Sequence, residues 1–99
     1  MEVIKNTNNE TIVKISGRWD TTNVSEYGKE LEQILENAAT AIIFECESLD
    51  YISSSGLRVF LLAQKKISSR GASLEIHHLK PQIREVFRMT GFTSIFNIK

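Results

Sequence analysis

Apolar and polar positions change period several times along the chain, and each change marks an element. Thr11–Ser16 alternates loosely, and its apolar members Ile12, Val13 and Ile15 are all β-branched. Such residues fit a pleated, half-buried surface, so the segment predicts a strand ending at Gly17. Ahead of it, Met1–Lys5 predicts a short edge strand and Asn6–Glu10 a polar turn. The period then lengthens. Val24, Tyr27, Leu31, Ile34, Leu35 and Ala38 recur at helical spacing, with Glu26, Lys29, Glu30, Glu32, Gln33 and Glu36 elsewhere. Asp20-Thr21-Thr22-Asn23 offers N-cap candidates for that helix. Ala41-Ile42-Ile43-Phe44 is a continuous apolar run that suits a strand buried on both faces.

Leu57–Ile67 predicts a second helix with Leu57, Phe60, Leu61, Ala63 and Ile67 inward, ended by Gly71. Ser73–His77 predicts a strand built on Leu74 and Ile76. Pro81 opens a third helix where a missing N–H costs nothing. Ile83, Val86, Phe87 and Thr90 form its face, and Gly91 caps it. Phe92, Ile95, Phe96 and Ile98 supply a last strand. Gly28 is the one glycine inside a predicted helix. The order β-β-α-β-α-β-α-β implies an α/β fold with a mixed sheet of about five strands and right-handed crossovers. Its three helices are expected to pack largely on one sheet face.

Composition narrows the function. The 99 residues suit one domain spanning 1–99, and 12 lysines and arginines balance 12 aspartates and glutamates. A nucleic-acid footprint needs a clustered basic excess, so no nucleic-acid partner is expected. A surface module held by anionic lipid is disfavoured likewise. No apolar run approaches the roughly 18 residues that cross a bilayer, so no membrane insertion is expected. The polar first ten residues do not read as a signal peptide, which points to a cytoplasmic protein. The lone Cys46 excludes an internal disulfide and a cysteine-cluster zinc site. A domain this small buries only about 60–68% of its unfolded surface, so a deep substrate cavity is costly and function is expected on the surface.

The most informative segment is Leu49-Asp50-Tyr51-Ile52-Ser53-Ser54-Ser55-Gly56-Leu57-Arg58-Val59, where a strand leads through serines into a helix. First-turn N–H groups of a helix lack intrahelical acceptors, and the dipole adds positive potential. A phosphate is accommodated there. Gly56 lacks a side chain beside the serines and would let another protein approach closely. A phosphoserine adds about −1.5 to −2 charges, enough to switch a flat contact surface without refolding the domain. The plainer reading makes one serine an N-cap and the others solvated turn residues.

Three segments taken together resemble a known family. They are Gly17-Arg18-Trp19-Asp20-Thr21-Thr22-Asn23, the serine segment, and Val86-Phe87-Arg88-Met89-Thr90-Gly91-Phe92. In order and spacing they resemble the STAS domain of the bacterial anti-sigma factor antagonist type, over nearly the whole chain. The family's phosphorylation loop commonly reads Asp-Ser-Ser/Thr-Gly-Leu. The resemblance implies Ser54 as phosphoacceptor, with Ser53 and Ser55 as competitors, because Ser53 stands where the aspartate is usual. It implies a contact surface that includes Asp20, Thr21, Thr22, Asn23, Ser53, Ser55, Gly56 and Arg58, the Asp20 loop lying beside the serines. It also implies partners: an anti-sigma factor with ATP-dependent serine kinase activity, and a metal-dependent serine phosphatase that restores the unmodified form. On that reading the chain is no enzyme and holds no cofactor or metal of its own. The alternative is a constitutive STAS interaction module in a signalling scaffold or a transport-associated complex. The resemblance leaves oligomeric state open.

Other chemistries fare worse. Ser54 could nominally recruit Asp20, Asp50, His77 or His78 as a hydrolase, but no Gly-x-Ser-x-Gly elbow is present. His77 and His78, adjacent on a predicted strand, should point to opposite faces and not share a metal ion. Cys46 reads as a small buried hydrophobe, and Trp19 as either packing or an exposed interface anchor. Lys65, Lys66 and Arg70 complement the dipole of the second helix.

Overall fold

Thr7 makes the first chain reversal. Its hydroxyl accepts from the amides of Asn9 at 3.2 Å and Glu10 at 3.0 Å, a local turn bond that competes with extended structure. The computed structural model describes residues 1–99. Strands β1 (Glu2–Asn6), β2 (Glu10–Lys14) and β3 (Gly17–Trp19) precede helix α1 (Val24–Glu36). Strands β4 (Ala41–Glu45) and β5 (Leu49–Ile52) lead into α2 (Ser54–Ser69). Strand β6 (Ser73–His77), helix α3 (Pro81–Met89), a 3₁₀ turn (Phe92–Ser94) and β7 (Asn97–Ile98) complete the chain.

The main sheet has five strands in the order β1-β2-β4-β6-β7. Only β1 runs antiparallel to its neighbour. Parallel neighbours need crossovers, and the three helices supply them. The expected mixed α/β sheet is therefore present. Burial alternates along β2, β4 and β6, with Val13, Ile42, Phe44, Leu74 and Ile76 in the core and Ile12 and Ile43 half-exposed on the other face. The apolar run at Ala41 is thus buried on one face rather than two.

A second sheet is not among the expected elements. β3 and β5 pair in parallel as a separate two-stranded sheet. Gly17, expected to end a strand, instead starts β3 with φ +75°. The expected last strand is also smaller. Gly91 adopts φ +79° and turns the chain, so Phe92–Ser94 coils and only Asn97–Ile98 pairs with β6.

The core is one cluster of twenty buried residues. An aromatic chain runs through it from Trp19 to Phe60 (5.3 Å between centroids), Phe60 to Phe87 (6.0 Å) and Phe87 to Phe96 (5.7 Å). Trp19 is fully buried, so it is a packing residue and not an interface anchor. Cys46 is buried too, and burial pushes its thiol pKa well up, which makes it inert. Arg70 does not serve its own helix. Its guanidinium donates to the carbonyls of Leu35, Ala38 (2.9 Å) and Ala39 (3.2 Å), closing the C-terminal end of α1. Lys66 reaches Glu32 across the α1–α2 contact at 3.7 Å.

Candidate functional site

The paired strands β3 and β5 set the site. Their last residues, Trp19 and Ile52, are register partners. The Ser53 amide extends the pairing by donating to the Trp19 carbonyl at 2.8 Å. The two loops that follow, Asp20–Asn23 and the serine segment, therefore leave the sheet side by side, as the resemblance implied. Gly56 makes this approach possible from inside the fold. A Cβ there would lie 2.8 Å from Ile52 Cγ1 and 2.9 Å from the Trp19 carbonyl oxygen. The residue is buried, so its missing side chain admits the end of β3 and not an incoming partner.

The three serines have different roles. Ser53 is the N-cap of α2, and its Oγ accepts from the Gly56 amide at 3.2 Å. It also shares a hydrogen bond of 2.8 Å with Ser55 Oγ. Both residues are half-buried. Ser54 opens the helix, is exposed, and its hydroxyl has no hydrogen-bond partner. Ser53, which stands where the family pattern has aspartate, caps the helix without carrying a charge. The helix starts three residues earlier than the apolar spacing suggested. Arg58 therefore sits one full turn after Ser54, exposed and without an ion-pair partner. The i,i+4 spacing puts Ser54, Arg58 and the 54%-exposed Leu62 in one stripe along α2.

The neighbouring loop is held by its own side chains. Asp20 Oδ1 accepts from the Thr22 amide at 3.0 Å and from the Thr22 hydroxyl. Those bonds, with Arg18 at 3.6 Å, hold the Asp20 carboxyl below its ordinary pKa. Asn23 occupies the N-cap position of α1 but does not cap it with its side chain. Its amide bonds backwards instead, accepting from the Asp20 amide at 3.1 Å and donating to the Arg18 carbonyl at 2.8 Å. Thr21 is exposed at the tip.

Pattern reading missed two features of this surface. Arg18 lies over the Tyr51 ring, 4.2 Å from its centroid, because β3 and β5 bring the two residues into register. A groove of about 290 Å³ runs between α1 and α2, lined in part by Val24, Gly28, Val59 and Leu62. The glycine inside a predicted helix was the available signal for it.

The side chains nominally available as a base for Ser54 are engaged elsewhere, Asp20 with Thr22 among them. His77 Nε2 contacts Glu75 and His78 Nδ1 contacts Glu45, and Asp50 pairs with Lys80. The expectation that the two histidine rings point to opposite faces is wrong, because His78 has φ +59° and lies just past the strand end.

The STAS domain model matches residues 1–99. A Bordetella bronchiseptica protein, BtrV, named as an anti-sigma factor antagonist, is 36% identical over 87 residues, covering 88% of this chain and 75% of its own length. The anti-sigma-B factor antagonist of Bacillus subtilis is 27% identical over 95 residues, covering 96% and 86%. Among solved structures, the anti-sigma factor antagonist SpoIIAA in its unphosphorylated form superposes with a TM-score of 0.79 at 20% identity, covering 99% of this chain and 86% of that one. The phosphorylated form of Bacillus SpoIIAA gives 0.72 at 20% identity, covering 99% and 89%. No helix is long and apolar enough to cross a membrane. The family match over every residue, joined to the two antagonist relatives, means that this chain belongs to the STAS domain family and, within it, to the anti-sigma factor antagonists.

Proposed function

We propose that this chain is a phosphorylation-controlled switch that binds an anti-sigma factor with serine kinase activity, and that Ser54 is the phosphoacceptor. The observation that carries the reading is the division of labour among the serines. Ser53 and Ser55 are tied to each other and to the helix cap, whereas Ser54 Oγ is free and exposed. A kinase can take that hydroxyl into its own site without dismantling the cap. The chain supplies the oxygen, and the partner supplies base, nucleotide and metal.

Once on Ser54, a phosphate faces first-turn amides and the positive end of α2. Arg58 stands one turn away. The isolated domain tolerates the modification for these reasons. A docked partner does not, because about −1.5 to −2 charges would be placed in a desolvated contact. The contact surface is the stripe Ser54, Arg58 and Leu62, with the exposed Thr21 and the adjoining groove. The Asp20 and Asn23 side chains shape this surface more than they touch the partner. A serine phosphatase acting on the phosphorylated form resets the switch. A partner that uses ATP fits a cytoplasmic site of action.

Incubation with the cognate kinase and ATP tests the reading by intact mass. The native chain should gain one phosphate and Ser54→Ala none, while Ser54→Ala still binds the kinase like the native chain. The phosphorylated chain should bind roughly a hundredfold more weakly, as an uncompensated charge in an interface costs about 2–5 kcal/mol. Undiminished phosphorylation of Ser54→Ala, or equal binding of both forms, would overturn it. Equal binding is also what a constitutive interaction module would give.

A further inference from the structure

The open face of the sheet carries a cluster of donor side chains that the switch does not use. Register places Glu45 of β4 beside His77 of β6, and both are half-buried. Strand alternation would send the next side chain to the opposite face. His78 departs from it with φ +59°, a left-handed conformation uncommon for a residue with a Cβ. Its ring returns to the His77 side, edge-on, with centroids 5.8 Å apart. His78 Nδ1 comes within 2.8 Å of both Glu45 oxygens. One ring nitrogen from each histidine and one Glu45 oxygen lie within 4.8 Å of one another. Glu75 fixes the His77 ring through its Nε2 at 2.8 Å.

We propose that Glu45, His77 and His78 form a binding site for a divalent transition-metal ion of the zinc class. Donors on one tetrahedral zinc ion, at bonds of about 2.1 Å, stand roughly 3.4 Å apart, which small side-chain rotations reach from the observed spacing. Two imidazoles with a carboxylate suit zinc, nickel or copper better than magnesium or calcium, which favour all-oxygen sites. Glu45 and Glu75 together give the cluster negative charge when the imidazoles are neutral. Lys14, in register with Glu45, and Lys99, near Glu75, oppose it only in part. The His78 side chain is 66% exposed, so a bound ion keeps positions open for water or for a donor from another molecule. Persistence of the left-handed backbone at His78 fits this use, since such strain concentrates where a site needs it.

Calorimetric titration of the unphosphorylated chain with zinc chloride, in a buffer that does not chelate, should show one equivalent bound. The His77 and His78 ring resonances should shift together at that equivalent. Glu45→Gln, His77→Ala and His78→Gly should each weaken binding tenfold or more, as even groups behind a ligand are worth about 10–100-fold. His78→Gly keeps the test sound if the other variants misfold, because glycine adopts the left-handed backbone freely. Ser54→Ala should bind zinc like the native chain. Absence of saturable binding, or equal affinity in the native chain and His78→Gly, would overturn the site.

Discussion

The N-termini of α1 and α2 lie side by side at the ends of two paired strands, and each follows a segment rich in hydroxyl and amide side chains. They use those side chains differently. Ahead of α1, Asp20, Thr22 and Asn23 bond to one another and to the Arg18 carbonyl, and the helix end receives no side-chain cap. Ahead of α2, Ser53 caps the helix, Ser55 steadies the cap, and Ser54 is left over. A hydroxyl at a helix start is available for chemistry only when a neighbour has already met the backbone's need. On the proposed reading the α1 loop is a wall of the site, and the α2 loop holds the phosphoacceptor.

The largest break in that comparison should come from Gly56→Ala. The added Cβ meets backbone at the Trp19 carbonyl, which cannot rotate away. Helix propensity favours alanine by about 1 kcal/mol, but overpacking of this kind costs about 1–3 kcal/mol or more. A net loss of up to about 2 kcal/mol is expected in urea unfolding, with slower phosphorylation of Ser54 as the loops part. Next come the serines compared with each other. Ser53→Ala should cost about 1 kcal/mol as a lost cap. Ser54→Ala should change stability by less than about 0.5 kcal/mol. If the two variants were equally stable, the division of labour between cap and acceptor would be wrong.

The same contrast explains what could be read from the sequence. Strands β2, β4 and β6 and all three helices were legible because each carries a β-branched core or an amphipathic repeat long enough to show its period. Gly17-Arg18-Trp19 and Leu49-Asp50-Tyr51-Ile52 are too short and too mixed, and what makes them strands is their pairing with each other. Phe92, Ile95 and Phe96 read as a strand because they are apolar, yet Gly91 turns the chain first. At the site, the serine turn was legible as a helix start, but which of Ser53, Ser54 and Ser55 caps it depends on backbone angles. The left-handed His78 is likewise a property of the folded backbone, and it reverses the alternation that separates two adjacent side chains.

Gly28→Ala sharpens the comparison from the α1 side and should stabilise the fold. A Cβ there would lie 3.7 Å from both Val59 methyl carbons, an ordinary contact. Relief of glycine's backbone freedom inside a helix is worth about 0.5–1 kcal/mol. A rise in urea midpoint at unchanged slope is the expected result. A fall would show that α1 and α2 need a closer approach than their present spacing.

The smallest effect concerns acid. Asp20 has a folded pKa below its ordinary value of 3.8, chiefly through the Thr22 hydroxyl and amide. A depressed carboxylate pKa contributes stability that is present above the unfolded value of about 3.9 and is lost as pH falls through the folded one. Thr22→Val removes the hydroxyl bond and keeps the amide, so the Asp20 midpoint should rise part of the way toward the ordinary value in a carboxyl-carbon NMR titration. The native chain's stability advantage over Thr22→Val should shrink at the same acidic end and hold steady from pH 5 upward. An Asp20 midpoint at the ordinary value in the native chain would mean that the carboxylate is not tied to its own loop. It would then be free to meet the kinase directly, and the two loops would differ less than their hydrogen bonds indicate.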